Sequence, residues 1–194
     1  SALELLASRV GISLPRDNND GGSSEAVKRE RVLAMNREAA RFYHACLYDQ
    51  NLGAAGLSYL QSRGLSGATI KHFGLGYAPD GFGSLTEHLT RLGYSAPELS
   101  SAFLCGISKK TGRPYDYFRG RVMFPIIDVT GSVVAFGSRV MDDSVPKYLN
   151  TSDTPVFKKS RNLFALNFAK SKCTERLILC EGYMDVISLH ANGF

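Results

Sequence analysis

The chain has 194 residues, 44% of them hydrophobic and 21% charged, with a net charge of +5. That length makes one domain of ordinary size, or one and a half, with a sizeable core. No run of about 18 apolar residues is present, which excludes a membrane-spanning helix within this sequence, and the first residues, with an early acidic Glu4 and no basic lead, do not read as a signal peptide.

Residues 3–10 read as the end of a short helix, closed by Gly11 and Pro15. DNNDGGSS, Asp17–Ser24, holds no apolar residue and reads as a linker. The spacing of Val32, Met35, Ala39, Phe42 and Cys46 predicts a long helix over 25–49, with Ser24 as its N-cap. A second helix covers 52–63 and stops at Gly64; a third, short one covers 66–73. SLTEHLTRLG opens on a Ser-x-x-Glu capping box and closes on Gly93, and SAPELSSAFLCG repeats that pattern up to Gly106.

Near Ile107 the pattern changes to extended segments. KKTGRPYDYF predicts a turn between two short strands. VMFPIID, VTGS and VVAFGSRV predict a β-hairpin with Thr130 and Gly131 at its tip, and Pro125 calls for an edge or a bulge. PKYLNTSDTP reads as loop, and SRNLFALNFAKSK (160–172) as helix with basic residues in its last turn. ERLILC predicts a buried strand, and EGYMDVISLHANG a turn into a helix. A terminal strand and helix cannot form a sheet alone, so the chain reads as a piece of a longer protein. The fold class expected is α+β: a helical N-terminal part, a mixed basic hairpin and helix module, then the first strand and helix of an α/β unit.

Cys46, Cys105, Cys173 and Cys180 lie far apart with no C-x-x-C spacing, which gives no metal site and fits reduced thiols. The charge is more informative. Between Arg119 and Lys172 stand nine basic and four acidic residues, and the rest of the chain has fourteen of each. The whole excess therefore falls in this segment, as a solvated face or as a surface for a polyanion.

Four constellations carry chemistry. Glu181 stands at the expected carboxyl end of a strand, where ligands gather in α/β sheets, and Asp185 follows one turn into the helix. Together they suit a divalent metal or proton transfer, the alternative being a helix cap and a surface acid. Arg119 and Arg121 alternate along FRGRV and share one strand face, joined by Arg139 from the partner strand; such a set suits a polyanion, or pairing with nearby aspartates. In PKYLN, Lys147 suits a phosphate, Tyr148 stacking and Asn150 an edge or hydroxyl, unless this is an ordinary surface loop. Lys158, Lys159 and Arg161 sit at a predicted helix start, where the dipole disfavours cations. His44, His72, His88 and His190 are scattered and read as structural or surface residues.

YLQSRGLSGATIKHFGLGYAPDGF, FRGRVMFPIIDVTGSVVAFGSRV, PKYLNTSDTPVFKKSRNLFALNFAK and LILCEGYMDV together resemble the bacterial replicative DNA primases of the DnaG type, in order and spacing over nearly the whole chain. EGYMDV is similar to the first motif of the Toprim domain. The resemblance implies a nucleotidyltransferase that makes short RNA primers on single-stranded DNA from ribonucleoside triphosphates with Mg²⁺ or Mn²⁺. It implies residues 1–21 as the tail after a Zn²⁺-binding domain, 22–175 as the N-terminal subdomain of the primase core, and 176–194 as the start of Toprim. It implies catalytic roles for Glu181, Lys147 and Lys159, and nucleotide binding by Lys147, Tyr148 and Asn150. It further implies DNA binding by Arg63, Arg119, Arg121 and Arg139, and a place near the metal for Glu181, with the principal metal aspartates beyond Phe194. The basic cluster at the predicted helix start adds Lys158 and Arg161 to the expected DNA-binding set, and the spacing of Asp185 from Glu181 adds it to the expected metal ligands. A replicative helicase as partner, through a C-terminal domain, and a cytoplasmic place at the replication fork belong to the same expectation. The competing readings are a non-catalytic single-stranded-DNA or nucleotide-binding module, and a different Toprim enzyme such as a topoisomerase or nuclease.

Overall fold

A computed structural model describes residues 20–172 and 176–194. The predicted helix at 3–10 lies outside the described residues, as does the first part of the predicted linker. Helix α1 spans Asp20–Tyr48, so the linker's last residues are helical and Ser24 is not a cap. The physical reason is that a helix already nucleated by packing extends cheaply, one hydrogen bond per added residue. Helices α2 (Ala54–Ser62) and α3 (Gly67–His72) follow, with Ser66 Oγ capping α3 through the Thr69 amide at 3.1 Å.

Strand β1 (Gly76–Ala78) precedes α4 (Ser84–Arg91) and α5 (Ala96–Ser101). The box expected at Ser84 does not cap α4. Asp116 does so instead, from far along the chain: its carboxylate accepts from the Leu85 and Thr86 amides at 2.8 and 2.9 Å, and from Thr86 Oγ1 at 2.5 Å. Burial pushes the Asp116 pKa up, against these hydrogen bonds and nearby Arg119. On α5 the box is real, with Glu98 accepting from the Ser95 amide at 2.8 Å. Its expected glycine stop is not: Phe103 takes the left-handed position (φ 55°), and Gly106 lies in a strand.

The chain then enters two antiparallel sheets. β2 (Cys105–Ile107) and β3 (Pro114–Asp116) form the small hairpin expected around KKTGR. β4 (Arg121–Ile127) and β5 (Val133–Val140) form the larger hairpin, in a sheet ordered β1-β4-β5-β6. β6 is Tyr148–Asn150, a segment predicted as loop; pairing with β5 recruits it. Pro125 pairs with Phe136, whose own N–H and C=O both engage Thr151 on the far side. The proline's missing donor therefore faces away from β5, beyond the short β1, as an edge position requires.

Alternation gives this sheet two apolar faces. Met123 and Phe136 pack with Val32, Met35, Ala39 and Tyr43 of α1. Val122 and Phe124 pack on the other side with Leu47, Leu60, Ile70 and Phe73. Each such fully buried side chain contributes about 1.5–3 kcal/mol from apolar burial.

Downstream, two expectations fail. The helix predicted over 160–172 is a 3₁₀ turn (Lys159–Arg161) followed by a four-residue α6 (Leu166–Ala169). Extended Asn162 and left-handed Ala165 (φ 62°) break it between them, so Lys158, Lys159 and Arg161 do not oppose a helix dipole. The predicted buried strand is absent too: residues 176–180 form no ladder, and Leu177, Ile178 and Leu179 are exposed. A strand exists by hydrogen bonds to a neighbour, and no described strand lies against this segment. Helix α7 (Tyr183–Ala191) forms as predicted and buries Ile187 in the second core cluster.

Candidate nucleic-acid and nucleotide site

The second face of the large sheet continues past its core into a polar margin. Arg139 pairs with Tyr148, and Gly137 with Asn150, so all four point to one side. At Gly137 a Cβ would meet the Tyr183 ring at 2.4 Å. The absence of a side chain lets α7 lay Tyr183 directly on the sheet. There Tyr183 stacks on Phe124, centroids 5.3 Å apart, and its hydroxyl donates to Asn150 Oδ1 at 3.0 Å. Burial raises the Tyr183 pKa, which keeps it a neutral donor. The sheet thereby holds the N-terminal end of α7, and with it Glu181 and Asp185.

Below this contact a cavity of about 1270 Å³ is lined by Tyr148, Asn150, Lys159, Glu181, Tyr183 and Asp185, among others. Both carboxylates are exposed. Asp185 occupies the first turn of α7 and folds back on Gly182, a placement the helix dipole favours. Glu181 does not cap the helix; Gly182 stands at that position. Among the described residues no group of three His, Cys, Asp or Glu is arranged to hold a metal.

The arginines divide. The register pairs Arg121 with Val140 and Arg139 with Val122, so Arg121 and Arg139 lie on opposite faces, contrary to the expectation of one shared face. Gly120, at φ 58°, breaks the alternation between Arg119 and Arg121 as well. Arg121 is only 8% exposed and donates to the Pro146 carbonyl at 2.9 Å, tying down the loop before Lys147. Burial, then the charge of Arg119, presses its pKa down from the ordinary value. Arg119 donates to the Asp116 carbonyl and lies 4.8 Å over the Phe82 ring. Arg139 lies 5.4 Å over Tyr148 and 5.5 Å over Tyr59, and Arg63 lies 5.4 Å over the same Tyr59.

Lys147 is exposed, forms no ion pair with a described residue, and is held through its backbone, whose carbonyl accepts from the Val140 amide at 3.1 Å. Lys158 pairs with Asp153 at 3.1 Å, while the Lys159 amide uses the other Asp153 oxygen. That pins the 3₁₀ turn, and Lys159, which forms no ion pair with a described residue, lines the cavity. Arg161 is exposed at the end of the turn.

Lys159, Tyr148, Asn150, Glu181 and Asp185 thus share one cavity, and Arg139 adjoins it through Tyr148. Arg63 meets Arg139 on Tyr59, which is outside the lining, and Lys147, Arg119 and Arg121 do not line the cavity either. Tyr183 and Tyr59 are site residues that sequence reasoning passed over. Tyr183 lies inside EGYMDV, and Tyr59 one helical turn before Arg63, so the spacing signal for both was present.

The family model for the N-terminal domain of the DNA primase catalytic core matches residues 42–170. The chain is 42% identical over 193 residues to a DNA primase of Clostridium acetobutylicum, covering 99% of this chain and 32% of that protein. It is 44% identical over 195 residues to one of Deinococcus radiodurans, covering 100% and 32%. It therefore spans about a third of the length of these curated relatives. Among solved structures, a DnaG primase catalytic domain bound to single-stranded DNA matches with TM-score 0.79 at 36% identity, over 87% of this chain and 54% of that one. A DNA primase domain from Pseudomonas aeruginosa matches with TM-score 0.76 at 40% identity, over 84% and 51%.

Proposed function

This chain belongs to the DNA primase catalytic-core family, and from that premise we propose that it supplies the template-binding and nucleotide-binding side of an enzyme that synthesises short RNA primers on single-stranded DNA. The observation that carries the reading is the shared cavity that Lys159, Tyr148 and Asn150 line together with Glu181 and Asp185. A ribonucleoside triphosphate needs its phosphate charge met, its base and sugar held, and carboxylates close to the reacting phosphate.

In this reading Lys147 and Lys159 meet the phosphates, Tyr148 stacks and Asn150 reads an edge or hydroxyl. Glu181 holds or accepts a proton near the reaction. Arg63, Arg119, Arg139, Lys158 and Arg161 bind template phosphates, and Arg121 contributes by ordering the loop that presents Lys147. The single-stranded DNA in a structural neighbour supports the template assignment.

Glu181 and Asp185 fit Mg²⁺ or Mn²⁺ in the mode where one or two carboxylates share the ion with substrate phosphates and water. Such an ion, when bound, neutralises triphosphate charge. The domain scheme goes with this reading: 1–21 a tail after a zinc-binding domain, 22–175 the N-terminal core subdomain, 176–194 the start of Toprim. So do a helicase partner and a cytoplasmic place of action; among the described residues no helix is long and apolar enough to cross a membrane. The test is template-directed ribonucleotide incorporation by the complete protein and its Lys159→Ala form. The wild type is expected to extend and the variant to fail while still binding template. A variant with wild-type incorporation overturns the cavity assignment.

A further inference from the structure

Tyr59 carries no charge, yet two of the arginines meet on it. It precedes Arg63 by one turn of α2, which puts both side chains on one helix face. The Arg63 guanidinium carbon lies 5.4 Å from the ring centroid, and Arg63 Nε donates to Tyr59 Oη at 3.3 Å. Arg139 reaches the same ring from β5, at 5.5 Å. The ring is anchored by packing against the second core cluster, while Arg63 is exposed. No described carboxylate forms an ion pair with either arginine. The electron-rich face of the ring is therefore what offsets their mutual repulsion. Arg139 Nε is buried and has no hydrogen-bond partner among the described residues, so the ring contacts are what hold this guanidinium.

We propose that Tyr59 is a positioning residue that holds Arg63 and Arg139 as one preformed dication for the phosphates of a single-stranded DNA template. This rests on the template-binding role of the two arginines proposed above. Arginine side chains are long and lose rotamer freedom on binding; a ring that orders them beforehand removes that cost from the binding step. Without the ring the same arginines still reach the same phosphates, only less often in the right geometry. Affinity falls, but the number of phosphates neutralised does not. The slope of log K against log salt follows that number, about 0.7 per phosphate for single strands.

The experiment measures binding of fluorescein-labelled oligo(dT) by the complete protein across a salt series, with thermal melts alongside. Tyr59→Leu is expected to weaken binding about tenfold with an unchanged salt slope and melting temperature. Tyr59→Phe, which keeps the ring, should stay within about twofold of wild type. Arg139→Ala should weaken binding and flatten the slope by about 0.7. Wild-type binding by Tyr59→Leu, beside a weakened Arg139→Ala, overturns the positioning role and leaves the template reading standing. Wild-type affinity and slope in Arg139→Ala overturn the template reading itself. Should the leucine variant melt early, Tyr59→Met replaces it, in a double-mutant cycle with Arg139→Ala. Loss of the ring effect once Arg139 is gone supports the proposal; full additivity refutes it.

Discussion

Lys147 shows how a single side chain is held in readiness. Its backbone is fixed to β5 and its loop is tied through the Pro146 carbonyl to Arg121, yet its own side chain is exposed and forms no ion pair with a described residue. Truncation therefore removes almost nothing from the fold, within about 0.5 kcal/mol for such a surface position. If the ammonium meets a phosphate whose charge builds up in the transition state, its loss costs about 100- to 1,000-fold in rate. Lys147→Ala in the complete protein should abolish priming with an unchanged melt. Lys147→Arg should rescue poorly, since a planar fork does not replace a compact ammonium. A collapsed melt, or near-normal priming by the alanine variant, would show the lysine to be structural or dispensable.

Two elements depend on side chains remote in sequence. The N-terminus of α4 is satisfied by Asp116 on β3, buried and bonded to two amides and a hydroxyl. Asp116→Ala leaves those buried amides without an acceptor, at about 2–4 kcal/mol in all. Urea denaturation should show a lower midpoint with an unchanged m-value, and a midpoint equal to wild type would remove Asp116 from its capping role. Helix α7 is docked partly through His190, which stacks on His72 of α3 at 4.8 Å. Burial, and then His72, lower the His190 pKa below 6.5. The unfolded state therefore takes up this proton before the native state does, so stability rises with pH across the window from the lowered pKa up to 6.5 and is complete above it. Hydrogen-exchange protection of α7, corrected for intrinsic rates, should fall on going from about pH 8 to about pH 6. His190→Gln should lose that dependence; a dependence that persists in the variant would assign it to other groups.

For the whole molecule the prediction concerns what these 194 residues do alone. Their described part offers cations and stacking surfaces but no three-ligand metal cluster. The isolated chain should therefore bind single-stranded DNA at tens of micromolar or weaker, on the order of non-specific binding, with affinity falling as salt rises. It should make no primer even with Mn²⁺. A template-dependent ribonucleotide product from the purified chain would contradict this.

Local signals that act within a few residues determined those elements that need no distant partner: Val32, Met35 and Ala39 on one face of α1, the Ser95–Glu98 box on α5, the turn at Thr130–Gly131 between β4 and β5. The charged members of the candidate site were legible for a similar reason, since a basic segment and an isolated acid stand out in any conformation. What tertiary structure decided is whatever a residue owes to a distant partner. Tyr148–Asn150 is a strand only because β5 offers it a ladder, and 176–180 is none because no described strand does. The cap of α4 comes from thirty residues downstream. Arg121 and Arg139 part company because register, not spacing, sets which face a side chain takes, and a shift of one residue exchanges core for surface.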